Sequence, residues 1–154
     1  MLATPTRFRL ATGSGDGKNG LNAFDNALLE AGIGNINLLR VTSILPPNAR
    51  EDSQLQPPYG ALVPSAFGTV TSETPGELIS AAVGVGFSSN TLGVIMEADG
   101  RCPRQECEER VREMLQEAFA KRGLTLERTQ IEGVEHRVQQ TGAVIAAVIL
   151  GYAY

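Results

Sequence analysis

The apolar positions of the chain follow two periods, and these set out its elements in order. Arg7 to Ala11 alternates as a short strand, and Thr12 to Gly20 (TGSGDGKNG) carries four glycines among polar residues, which predicts a mobile loop. At about 100° per residue, Leu21, Phe24, Leu28 and Ala31 fall on one arc opposite Asn22, Asn26 and Glu30, predicting a helix over Leu21 to Ala31 that Gly32 and Gly34 end. Asn35 to Ser43 reads as a strand with Asn37, Leu39, Val41 and Ser43 on one face and Ile36, Leu38, Arg40 and Thr42 on the other. Asn48 to Tyr59 is a polar, proline-containing loop. Gly60 to Glu73 is strand-like with an interruption at Pro64, and Glu77 to Phe87 and Thr91 to Gly100 add two apolar runs. Pro103 to Arg122 is the clearest helix, with Cys107, Val111, Met114, Leu115, Ala118 and Phe119 as one stripe and Gly123 as its stop. Leu124 to Gln139 alternates as one strand or a bent pair, and AVIAAVILGYAY at the end is a strand buried on both faces. This order predicts either a two-layer α/β packing or a β-sheet sandwich flanked by helices.

Composition narrows the function classes. A chain of 154 residues with 42% hydrophobic content fits one domain with a substantial core. Its 13 basic and 17 acidic residues give a net charge of -4 with no basic cluster, so neither nucleic acid nor an anionic membrane is an expected partner. No stretch approaches the run of about 18 apolar residues of a membrane span, and MLATPTRFRL lacks the apolar core of a signal peptide, so a soluble cytoplasmic protein is expected. Two cysteines and one histidine make neither a disulfide framework nor a zinc-type ligand set. Cys107 falls on the apolar helical stripe, and the VEHRV setting of His136 reads as structural. Any enzyme here must therefore draw on Ser, Asp, Glu, Asn or a cofactor.

Four features carry candidate chemistry. In VTSILPP (Val41 to Pro47), Ser43 is the last side chain of its strand face, and Pro46 and Pro47 stop the strand and stiffen the segment after Ser43. A hydroxyl held at such a strand end can attack the preceding carbonyl; the alternative is an ordinary serine at a strand exit. Asp25 lies at the side of the apolar arc, where it either borders the core or points into a cleft. Because a lone carboxylate is costly to bury, it calls for a cationic partner from outside, an internal salt bridge or a helix-dipole role. Glu97 follows the apolar run Leu92 to Met96 on the face of Gly93 and Ile95; partial desolvation there favours its protonated form, as a general acid requires, whereas a solvated strand-end glutamate would carry no chemistry. Gly15-x-Gly17-x-x-Gly20 matches the dinucleotide fingerprint, but Thr42 and Ser43 stand where the acidic residue about 20 positions on is required. The phosphate-loop pattern fails at Thr12 and Asn19.

Taken together, LNAFDNALLEAGIGNINLLRVTSILPP (Leu21 to Pro47), GALVPSAFG (Gly60 to Gly68), PGELISAA (Pro75 to Ala82) and GVIMEADG (Gly93 to Gly100) resemble the pyruvoyl-dependent arginine decarboxylases, across nearly the whole chain. The resemblance implies an α/β (α+β) fold, a sheet sandwich between helices (αββα), and a zymogen that cleaves itself between Thr42 and Ser43 into a small chain (1–42) and a large chain (43–154). Ser43 would attack the Thr42 carbonyl to form an ester, and β-elimination would leave a covalent pyruvoyl group in place of Ser43, with no pyridoxal phosphate and no metal. That group would form a Schiff base with arginine and drain electrons as carbon dioxide leaves, giving agmatine. Carried over residue by residue, Asn37 orients or polarises the reaction centre, Glu97 donates the proton to the α-carbon, and Asp25 receives the guanidinium group. Thr42 stands where some members have serine, which leaves the required carbonyl in place. Trimers of cleaved protomers, or dimers of trimers, are implied, with active sites between neighbours. Polyamine synthesis, acid resistance and arginine disposal remain open as roles. A competing expectation is an unprocessed, non-catalytic relative serving as an oligomeric or ligand-binding subunit.

Overall fold

The computed structural model describes residues 2–154. The elements are β1 (Arg7–Gly17), α1 (Gly20–Glu30), β2 (Asn37–Arg40), β3 (Ile44–Leu45), β4 (Arg50–Glu51), β5 (Leu62–Ser72), β6 (Leu78–Phe87), β7 (Gly93–Gly100), α2 (Arg104–Arg122), β8 (Arg128–Arg137) and β9 (Thr141–Gly151). They form a five-stranded sheet in the order β2-β5-β9-β1-β4 and a four-stranded sheet in the order β3-β7-β6-β8. The arrangement is αββα: α1 covers the first sheet, α2 covers the second, and the two sheets face each other. Of the two architectures that the pattern allows, the chain adopts the sandwich.

Three apolar clusters correspond to the three layer contacts. Strand β9 takes part in two of them by alternation: Val144, Ala146, Val148 and Leu150 face the second sheet, while Ala143, Ile145, Ala147 and Ile149 face α1. Cys107, Val111, Leu115 and Phe119 of α2 bury against the second sheet, as their spacing predicts. Pro103 precedes this helix and Gly123, in the left-handed region at φ 65°, closes it. The Pro64 interruption does not occur. Pairing of β5 with β9 begins one residue later, at Ser65, so the absent N–H removes no bond from that ladder.

The glycine-rich stretch departs most from expectation. Thr12 to Gly17 is not a mobile loop but the second half of β1, paired with β9 residue by residue as far as Gly17 with Thr141. Gly13, Gly15 and Gly17 share a face, and α1 lies directly on it. A Cβ at Gly13 would stand 2.2 Å from the Ala27 carbonyl oxygen, and one at Gly17 would stand 2.6 Å from the Ala23 nitrogen. The glycines are therefore a seat for a helix backbone. Asn19 caps α1 by accepting from the Asn22 N–H at 2.9 Å, and the Asn26 side chain donates to the Asp16 carbonyl at 2.8 Å.

This close seat also rotates the helix relative to the sequence expectation. Ala23 and Ala27 are the fully buried residues of α1, followed at its end by Ala31; Leu21 is 78% exposed, and Phe24 and Leu28 are only partly buried. Larger side chains cannot enter a contact made at backbone distance, so the predicted apolar arc lies along one flank. Opposite α1, Asp16 ties the first sheet to the second through His136 of β8. Burial pushes the Asp16 carboxyl upward, but hydrogen bonds from His136 and from the Gln139 and Gln140 N–H groups outweigh it and hold the group below its usual value. His136 is thus a tie between layers.

Candidate active site

The strand read as Asn35 to Ser43 is in fact divided between the two sheets. Strand β2 pairs in parallel with β5, Asn37 opposite Leu62 and Arg40 opposite Ser65, while β3 pairs with β7, Ile44 opposite Val94. Face alternation from Asn37 therefore does not extend to Ser43, which lies in the crossover. The last anchor in the first sheet is the Val41 N–H, donating to the Ser65 carbonyl at 3.0 Å. The next anchor is the Ser43 carbonyl, accepting from the Ile95 N–H at 2.6 Å. Between these two anchors stands the Thr42–Ser43 peptide bond, with Thr42 exposed and Ser43 partly buried.

Asp25 and Asn37 meet elsewhere. They line a cleft of about 570 Å³ between α1 and β2, with Leu21, Phe24, Leu28 and Phe67 among its other walls. The flank of α1 that the glycine seat leaves outside the core thus becomes a cleft wall. Asp25 is exposed there, and among the described residues no ion pair involves it. Asn37 donates from its side chain to the Gly60 carbonyl at 3.1 Å, which fixes it at the wall. The other options for Asp25 give way to the cleft: it is exposed and not at a core border, it has no internal salt bridge among the described residues, and it lies beyond the first turn of α1, where a helix-dipole role would place it.

Glu97 lies within β7, opposite Val83, and is half-buried. Burial raises its carboxyl above the usual value; the Arg40 charge pulls it back and the Asp99 charge adds to the rise. Arg40 is a residue to which the sequence pattern assigned no role. Its guanidinium sits 3.9 Å from the centroid of the Phe67 ring and donates to the Phe67 carbonyl at 2.9 Å. Phe67 also lines the Asp25–Asn37 cleft, so one stacked pair joins that cleft to the electrostatic surroundings of Glu97. The only signal available in sequence was an arginine within the apolar NLLRV.

Thr42 faces a separate space, an apolar groove of about 540 Å³ that includes Leu39, Ile44, Leu62, Pro64 and Leu150. Leu39, Ile44 and Leu62 are 43%, 39% and 68% exposed. Within one chain, the cleft and the crossover bond consequently line different surfaces. Among the described residues no three His, Cys, Asp or Glu side chains converge on a metal position, and no helix is long and apolar enough to cross a membrane.

Comparison with known proteins places the sequence in a family. The family described as Pyruvoyl-dependent arginine decarboxylase matches residues 7–153. A protein of that name from Methanocaldococcus jannaschii is 46% identical over 150 residues, covering 96% of this chain and 91% of the relative. Relatives of the same name from Thermococcus kodakarensis and Pyrococcus horikoshii are 39% and 38% identical, each covering 98% of both chains. With a match over nearly its whole length and relatives at this identity, the chain belongs to the pyruvoyl-dependent arginine decarboxylase family.

Proposed function

We propose that this protein converts L-arginine to agmatine and carbon dioxide after cleaving itself between Thr42 and Ser43. The observation that carries the reading is the crossover: the bond to be cut spans two sheets and is anchored on each side, at Val41 and at Ser43. In the proposed processing, the Ser43 hydroxyl attacks the Thr42 carbonyl and the Ser43 nitrogen leaves, giving an ester. Loss of the Ser43 α-proton and of the Thr42 carboxylate leaves an unsaturated residue, which takes up water and releases ammonia to become the pyruvoyl terminus. The Ile95 N–H holds the carbonyl of that same residue, so the new terminus stays attached to β7.

Cleavage is compatible with a stable fold. The small chain (1–42) would keep β1 between β9 and β4, and β2 beside β5, so both pieces stay in one domain. When present, the pyruvoyl carbonyl supplies the electron sink for loss of the substrate carboxylate. The chain's own residues would do the rest. Asp25 receives the guanidinium in the cleft, Asn37 orients the reacting end, and Glu97, whose carboxyl partial burial raises above its usual value, delivers a proton to the substrate α-carbon.

In this reading the protein is a homo-oligomer, a trimer or a dimer of trimers, in the cytoplasm. The apolar groove beside Thr42 supports packing against a second copy, and a neighbour in that position can bring its cleft to the crossover that one protomer keeps apart. Intact-mass measurement under denaturing conditions tests the proposal. Two fragments divided at Thr42, a single species for Ser43→Ala, and carbon dioxide release from arginine are expected. A wild-type chain that stays whole after long incubation, binding arginine without releasing carbon dioxide, would instead identify the unprocessed subunit.

A further inference from the structure

We propose that Cys102 and Cys107 form a reversible internal disulfide, a modification site apart from the cleft, that ties the end of β7 to the first turn of α2. The two sulfurs stand 3.6 Å apart, and the Ser80 hydroxyl touches both, at 3.4 Å from Cys102 and 3.2 Å from Cys107. Ser80 is opposite Gly100 in the β6–β7 ladder, so the sulfurs converge over a paired stretch of sheet. Cys107 is buried and held by helix backbone, whereas Cys102 is partly exposed. Closing to a bond of about 2 Å needs a shift of about 1.5 Å, which the connector Arg101 to Pro103 can supply while strand and helix stay in place.

The chemistry balances with a peroxide as oxidant. The Cys102 thiolate attacks one peroxide oxygen, breaking the O–O bond and giving a sulfenic acid and hydroxide. The Cys107 sulfur then attacks the sulfenic sulfur; the S–S bond forms, the S–O bond breaks, and water leaves. Two thiols and one peroxide thus become one disulfide and two waters, and a dithiol reductant reverses the change. Burial pushes the Cys102 thiol up to about 11, aided by the neighbouring Glu106 and Cys107, so little thiolate is present at neutral pH. The pair accordingly reacts slowly with peroxide, and excess oxidant closes it.

The disulfide requires nothing of the decarboxylase reading. Its test is to treat the assembled protein with hydrogen peroxide, alkylate free thiols in denaturant, and digest with trypsin. Arg104 lies between the cysteines, so they fall on separate tryptic peptides and a bridge is read as the joined pair. The expected result is that joined pair, within one copy of the chain, separated by dithiothreitol, with an unfolding midpoint raised by about 5 °C. Cys107→Ser should carry Cys102 onward to sulfinic acid, and Cys102→Ser should leave Cys107 free for alkylation. Wild-type protein in which both cysteines still take the alkyl group, in which Cys102 goes on to sulfinic acid, or in which the bridge joins two copies, would overturn the proposal.

Discussion

The two helices cover their sheets by opposite means. Helix α1 lies on Gly13, Gly15 and Gly17 with only alanines between it and the strand, and the atoms a Cβ would strike are largely helix backbone. Helix α2 also lies over glycines, Gly84 and Gly86 of β6, but there a Cβ would meet side chains, Val111 Cγ1 at 2.6 Å and Phe119 Cε2 at 2.7 Å. Large residues of α2 fill hollows in the sheet, so its apolar stripe is used up in the core and its outer face is left to charged residues. Helix α1 buries little of its bulk, and its remaining apolar residues are free to build a cleft around Asp25. Close backbone packing thus leaves side chains to line a cleft, while interdigitated packing consumes them.

The contrast can be broken first at its tightest point. Gly13→Val should lower stability by about 4 kcal/mol or more, because helix backbone cannot yield locally as a side chain can; urea unfolding measures it. Glu97→Gln comes next, with turnover down about 100-fold. The sign of the accompanying pH effect is fixed by the direction of the shift. With the folded carboxyl raised by burial, activity that needs the protonated acid is present at low pH and is lost as pH rises through the raised value, and stability follows the same sign. A pH profile of turnover should show this alkaline limb in wild type and not in Glu97→Gln.

Gly84→Ala, under the other helix, should cost only about 1–3 kcal/mol by the same urea measurement, because Val111 and Ile131 can shift their side chains. Asp25→Asn should raise KM for arginine about tenfold with a smaller change in kcat, which steady-state kinetics resolves. At the bottom of the scale, Arg112→Ala on the outer face of α2 removes an exposed pair with Glu109 and should change stability by no more than about 0.5 kcal/mol. A large effect there would show that the outer face of α2 contributes more to the fold than an exposed ion pair does.

Local pattern was enough wherever a side chain's neighbours lie on its own element. The stripe from Cys107 to Phe119, the doubly buried β9 and the desolvation of Glu97 at the end of an apolar run were all legible, because hydrophobic periodicity reports burial directly. The family resemblance added the chemistry that VTSILPP alone left open between a reagent and an ordinary serine.

Tertiary structure decided what depends on a partner far along the chain. A run of glycines reads as a mobile loop when considered locally, since a missing Cβ allows both freedom and close approach. Only the helix seated on Gly13 to Gly17 selects between them. The same distance effect hid the rotation of α1, the stacking of Arg40 on Phe67, and the change of sheet between Arg40 and Ile44. Sequence by itself determined which residues prefer burial and in what order the elements run. The packed structure determined which surfaces meet, and so why the Thr42–Ser43 bond stands between two sheets instead of at the end of one strand.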